Sequence, residues 1–320
     1  MFALSHKSKQ YLLVALKVLI LTFTFVYIYF KVSQNETINT TGFSKKVLDK
    51  NSLLPGLIFI GLAILNWFFE ILKWKTIVSK IMPISFFTSL KQSLASLTVS
   101  LATPNRIGEY GAKAYYFESH QRKKVMLYNL FHNSFQMFIT TVLGIIGLYI
   151  LFENNYLKIT IDNIIFKITF TIIMVIFILL LGYIFRSQQL IFKGLTIKKL
   201  IQIFKELSMG LKLKMLLFSV LRYLIFSFLF FYLLLFFGAS ITLFEAVPFI
   251  FSMYLISSIV PSLSFFDVII KGGVAVWVFS FIGISEVIIL STVFCMWILN
   301  FVIPSIFGAY FLMTYKPIRA

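Results

Sequence analysis

Cysteine, histidine and charge are all scarce in this chain, and each scarcity removes a class of protein. A single cysteine among 320 residues, Cys295, excludes a disulfide framework and a thiolate metal cluster. The three histidines, His6, His120 and His132, lack the spacing of a zinc site, so no metal or other cofactor is expected. There is no Gly-rich phosphate loop and no GxSxG turn for a nucleophilic serine. Eleven acidic residues are spread too thinly for a DxD-type metal-binding pair. Charged residues make up 12% of the chain, against about 25% in soluble domains. No basic soluble domain remains that could bind nucleic acid.

What the chain has is apolar bulk. AVILMFWYC residues account for 60% of it, and phenylalanine alone occurs 39 times. A water-soluble fold could not hide that much apolar surface, so most of it must face lipid. Charge-poor apolar runs of about 20 residues are candidate transmembrane helices. Six full spans are read, near 11–30, 53–72, 125–151, 164–185, 215–237 and 287–313. The first is too long for a signal-peptide core and reads as a retained anchor. Two further apolar stretches, within 84–124 and 246–283, are interrupted by proline, glycine and charge. The fold class is therefore an all-α polytopic membrane protein, a single transmembrane domain over 1–320. It has six full spans and two broken or re-entrant helical hairpins, or eight spans if the hairpins cross.

The net charge of +18 gives an orientation. With the N-terminus in the cytoplasm and each hairpin entering and leaving on one side, the cytoplasmic face takes 22 of the 29 Lys and Arg and four of the acids. That puts the whole net charge on one face and both termini in the cytoplasm, as in an inner- or plasma-membrane protein. The first hairpin, 84–124, then enters from the cytoplasm and the second, 246–283, from outside. The basic cytoplasmic loop 186–214 carries lysines among Ile, Leu and Phe in the manner of an interfacial amphipathic helix.

The hairpins share a pattern. In the first, Pro104 breaks the run and Arg106, Gly108, Glu109 and Gly111 follow; in the second, Pro261 is followed by Asp267, Lys271, Gly272 and Gly273. Each supplies an acid and a base at helical spacing, with the prolines and glycines as hinge candidates. Two discontinuous elements from opposite faces point to an inverted-repeat transporter with a site near the midplane. On the third full span Asn129, His132, Asn133, Gln136 and Thr140 recur every three or four residues and share a helix face. That stripe fits either interhelical hydrogen bonding or the lining of a wet groove. Gly144 and Gly147 would let another helix approach closely. Glu70 reads as an acid that reaches out to the cytoplasmic interface with Lys73 or Lys75 beside it. In the last span, Asn300 and Pro304 suggest a kink with the freed carbonyl satisfied locally.

The Pro104-Asn105-Arg106-Ile107-Gly108-Glu109 motif, the Asn66-Trp67…Glu70…Lys73-Trp74 helix and the Pro261…Gly272-Gly273 segment resemble the lysylphosphatidylglycerol synthase/flippase transmembrane family, over about residues 10–315. The resemblance implies a bacterial inner-membrane protein that handles lipids. In the multiple-peptide-resistance members such a region moves aminoacylated phosphatidylglycerol between leaflets, while a separate cytosolic domain attaches the amino acid. The chain offers no stretch for that second domain, so flipping rather than synthesis is expected. The motif carries over Arg106 and Glu109 as the basic–acidic pair. The order Asp267, Lys271, Gly272, Gly273 departs from the turn-then-acid order expected there, which puts substrate specificity in question.

A lipid flippase is thus the leading reading, with Arg106 and Lys271 attracting a headgroup phosphate and Glu109 and Asp267 holding those cations or meeting a headgroup amine. Asn129, His132, Asn133 and Gln136 would line the headgroup path. The partners implied are membrane lipids, anionic or aminoacylated, with a homodimer and a separate lipid-modifying enzyme left open. An integral-membrane transferase on a lipid-linked sugar or amino acid is the alternative, as is a non-catalytic partner of such an enzyme.

Overall fold

The computed structural model describes residues 52–101, 103, 106–154, 156, 190–192, 195–259 and 267–315; within 190–199 and at 267–268 only the backbone is described. The expected spans 11–30 and 164–185, and the hinge candidates Pro104 and Pro261, lie outside the described residues.

The described chain is helical. In order it runs α1 (Leu53–Val78), α2 (Phe86–Leu101), α3 (Gly108–Tyr115), α4 (Arg122–Glu153), α5 (Ile197–Glu206), α6 (Met209–Phe237), α7 (Leu243–Ile259), α8 (Asp267–Ser280), α9 (Glu286–Trp297), a π-turn (Ile298–Val302) and α10 (Ile303–Thr314). A small antiparallel ribbon, Leu190–Phe192 with Leu195–Thr196, precedes α5.

Among the described residues four helices are long and apolar enough to cross a membrane: α1, α4, α6 and the continuous α9–α10 rod over Glu286–Thr314. At about 1.5 Å per residue the shortest of them, α1, is about 39 Å long, beyond a hydrocarbon core of about 30 Å. Only 28% of the apolar window of α1, and the same share in α4, is buried within the protein. The remainder, including Leu57, Ile64, Phe138 and Tyr149, faces outward as a lipid-contacting surface must. The chain is a multi-pass membrane protein.

The two interrupted stretches are built from shorter helices that pack on each other, α2 on α3 and α7 on α8. At 16 and 14 residues, α2 and α8 reach only about 24 and 21 Å, short of a bilayer core. The long helices pair around them: α1 with α6, α4 with α7, and α10 with α2.

Small residues set those pairings. A side chain on Gly144 would strike Leu255, and one on Gly147 would meet the Pro248 carbonyl at 2.7 Å, so α4 and α7 touch along the glycine face read from the sequence. Gly308 does the same for α10 against the Leu94 carbonyl of α2. Gly238, in the left-handed region at φ 103°, ends α6.

The last span carries a π-turn just ahead of Pro304, and the freed carbonyl is satisfied from a neighbouring helix rather than locally. Pro304 has no N–H to offer Asn300, four residues earlier. The Trp67 indole of α1 donates to that carbonyl at 3.2 Å, and Asn66 Nδ2 donates to Asn300 Oδ1 at 2.8 Å.

The basic loop holds a helix over 197–206, whose apolar side is partly covered by protein. Leu200 and Ile203 pack against the core of α1, α3, α4 and α6, and the Phe204 ring lies tilted against Phe131 and Phe135.

Candidate functional site

Charged residues inside an apolar bundle must find partners, because an isolated ion there is far costlier than an exposed one. α1 brings Glu70 and Lys73 one turn apart, α3 brings Glu109 and Lys113 one turn apart, α4 brings Asn129, His132 and Gln136, and α6 brings Arg222. The four helices pack together, and the charges meet between them.

Glu70 is one hub. Its Oε2 lies 2.9 Å from Arg222 Nη1 and 3.2 Å from Lys73 Nζ, and its Oε1 lies 3.5 Å from His132 Nε2. Lys73, fully buried, also donates to Gln136 Oε1 at 3.2 Å. Glu109 is the second hub, with Lys113 at 2.8 Å and Arg106 at 3.4 Å. Lys113 is 1% exposed, donates to Asn129 Oδ1 at 2.9 Å and sits 4.4 Å from the centre of the Trp74 ring. Trp74 in turn donates to Gln92 of α2 at 2.8 Å.

α3 lies outside the four long spans. Burial opposes ionisation of Glu109, but Lys113 and Arg106 outweigh it and hold the carboxyl well below the usual range, so it is an anion at neutral pH. Arg106 itself stands in the left-handed region at φ 57°, unusual for a residue with a side chain. The Thr103 hydroxyl accepts from Gly108 N–H at 2.8 Å, and a Cβ on Gly108 would crowd that hydroxyl at 2.7 Å. This cramped turn aims Arg106, whose side chain is 45% exposed, beside Glu109.

A cavity of about 600 Å³ adjoins the charges. Arg106, Arg222 and Lys271 supply its positive wall, with Asn66, Gln136, Thr140, Ser257, Ser258 and Asn300 as polar lining. Leu97, Leu101, Met137, Phe226, Ile259 and Phe301 supply apolar lining. Such a mixture suits an amphiphile: polar groups for a head, hydrocarbon for a tail. Four buried polar atoms of lining residues, Asn66 Oδ1, Arg222 Nε, Tyr223 Oη and Tyr254 Oη, have no hydrogen-bond partner.

The structure brings Arg106 and Lys271 to one cavity, although they come from different hairpins. Lys271 lies 5.2 Å from the Phe301 ring; its neighbour Asp267 begins α8, and its side chain is among those not described. Of the polar stripe on α4, Gln136 and Thr140 reach the cavity wall. Asn129 and His132 are buried in the charge cluster, and Asn133 bonds to His132 and the Tyr110 hydroxyl. Among the glycine hinges, Gly272 is hemmed by Leu290, whereas Gly111 and Gly273 have open space.

Three residues were read from the sequence in the wrong place. Glu70 does not reach the aqueous interface; it is buried among cations. Lys73 and Arg222, counted with the cytoplasmic loops, point into the bundle. Lys113, counted with the same loops, was not among the site candidates, although its four-residue spacing from Glu109 and the lone Arg222 in an apolar run were both visible.

Glu70, Glu109 and His132 bring potential ligand atoms within 4.8 Å of one another. Each carboxylate already faces two cations, so a divalent ion would deepen a positive surplus, and the arrangement does not favour a metal. An anion is the ligand this electrostatics favours.

Residues 14–308 match the family described as Lysylphosphatidylglycerol synthase TM region. No curated protein and no solved structure matches the chain.

Proposed function

The chain belongs to the lysylphosphatidylglycerol synthase TM-region family, and from that premise we propose that it is a lipid flippase or lipid transporter of the bacterial inner membrane, with both termini in the cytoplasm. The observation that carries this reading is the cavity in which cationic side chains and apolar walls meet beside a buried ion network.

In this mechanism a lipid headgroup enters the cavity and its acyl chains stay along Met137, Phe226 and Phe301. Arg222 and Arg106 hold the phosphate with charge-assisted hydrogen bonds, and Lys271 adds attraction from the second hairpin. Tyr223 and Tyr254 donate their hydroxyls to it. Glu70 and Glu109 keep Arg222 and Arg106 in place while the cavity is empty. The packed pairs α2–α3 and α7–α8 are the elements that shift, with Gly111 and Gly273 as points of freedom. An inside-negative potential drives an anionic headgroup outward by about 2.3 kcal/mol per charge per 100 mV, which supplies a force for export without ATP.

The test is redistribution of fluorescent phosphatidylglycerol between leaflets of liposomes containing the purified protein. Movement is expected with the wild type, and a fall of about tenfold or more with Arg222→Gln, the loss of one charge-assisted contact. No movement with folded wild-type protein sinks the reading.

A further inference from the structure

Resting on the transport reading above, we propose that the cavity selects lipids with a net negative headgroup and rejects those with a net positive one, including headgroups made cationic by an attached amino acid.

The argument is charge accounting. Arg106, Arg222 and Lys271 line the cavity, and no Asp or Glu is among the described lining residues. The two nearby carboxylates stand behind that wall and are committed: Glu70 to Arg222 and Lys73, Glu109 to Lys113 and Arg106. Their side chains are only 8% and 5% exposed, so neither can meet a headgroup ammonium without leaving its cations. Four cations against two carboxylates leave a surplus of two positive charges. Asp267 and Lys271, one turn apart on α8, add one of each sign and leave the surplus unchanged.

One unpartnered polar atom agrees in sign. Arg222 Nε can only donate, whereas the Tyr223 and Tyr254 hydroxyls can donate or accept. A phosphate offers an acceptor to Arg222 Nε, whereas an ammonium offers it only further donors. The unpartnered Asn66 Oδ1 is neutral and can accept from a headgroup hydroxyl. Phosphatidylglycerol brings one negative charge into this site. Its lysyl ester brings two ammonium groups and one phosphate, net positive, into a site already positive, and like-charge juxtaposition is a strong basis for rejection. The apolar walls at Met137, Ile259 and Phe301 make the occupant a lipid rather than a free anion.

The experiment compares labelled phosphatidylglycerol, phosphatidic acid, phosphatidylcholine and lysyl-phosphatidylglycerol in the same vesicles, with and without inorganic phosphate. The two anionic lipids are expected to move about tenfold or more faster than the lysyl ester, with phosphatidylcholine between them, and added phosphate is expected to change nothing. Equal rates for all four lipids, or a faster lysyl ester, overturn the selectivity while leaving transport standing. No movement of any lipid overturns the transport reading itself, and inhibition by phosphate overturns the lipid as occupant in favour of a soluble anion.

Placing a carboxylate on the wall supplies a second check. Thr140→Glu and the more exposed Ser258→Asp are each expected to shrink the preference to about threefold or less, because each cancels half of the surplus. An unchanged preference in both folded variants overturns the assignment.

Discussion

Glu70 illustrates how much a single buried carboxylate organises. It lies within 3.5 Å of Arg222, Lys73 and His132, which come from three helices. Removing it leaves two cations facing each other without a counter-ion. Glu70→Ala is expected to destabilise the protein by about 3–5 kcal/mol, read as a lowered thermal midpoint in detergent. A midpoint equal to that of the wild type contradicts the paired geometry. Arg106 makes the opposite case. Its left-handed backbone costs about 1–2 kcal/mol for a residue with a Cβ, so Arg106→Gly is expected to leave stability unchanged or slightly raised while slowing lipid movement. A loss of stability would show that the arginine serves folding rather than ligand. At this scale the sequence was half legible. The Arg106–Glu109 pair follows from three-residue spacing, and the structure contains it. The partnership of Glu70 with Arg222 could not be read, because no local spacing links residues on two separate spans; without it Glu70 looked like an interfacial acid.

Among the elements, the breaks in 84–124 and 246–283 were visible as proline and glycine in apolar runs, and the structure places short paired helices there. What those short helices pack against was only partly visible. Gly144 and Gly147 announced a close helix contact, and α7 makes it; Gly308 gave no periodic signal, yet it seats α10 on α2. Gly308→Leu is expected to force α10 away from the Leu94 carbonyl and cost about 1–3 kcal/mol or more in thermal stability. Normal stability would refute the contact. The irregularity at Pro304 was legible and the donor to its freed carbonyl was not, since that donor is an indole 233 positions away in sequence. Trp67→Phe leaves the Asn300 carbonyl without that donor, and a loss of about 1–3 kcal/mol is expected in the same measurement.

For the whole molecule, composition alone established a membrane protein, and the described helices and the family agree. The net charge of +18 was read as orientation, with all of it on the cytoplasmic face. Part of that charge has another place: Lys73, Lys113 and Arg222 are packed inside the bundle, where they build a positive site instead of marking a loop. A charge count along the chain cannot separate those two uses, because buried and loop cations look alike until helices pair. The central claim is that lipid passes through the cavity beside this cluster. Ser258→Trp tests it most directly, since Ser258 lines the cavity, is exposed and, among the described residues, bonds to its own helix at the Leu255 carbonyl. The measurement is the rate of phosphatidylglycerol redistribution in liposomes by the wild type and by Ser258→Trp of equal thermal stability. The account predicts that the blocked protein falls to the rate of protein-free vesicles; a rate equal to that of the wild type would contradict it.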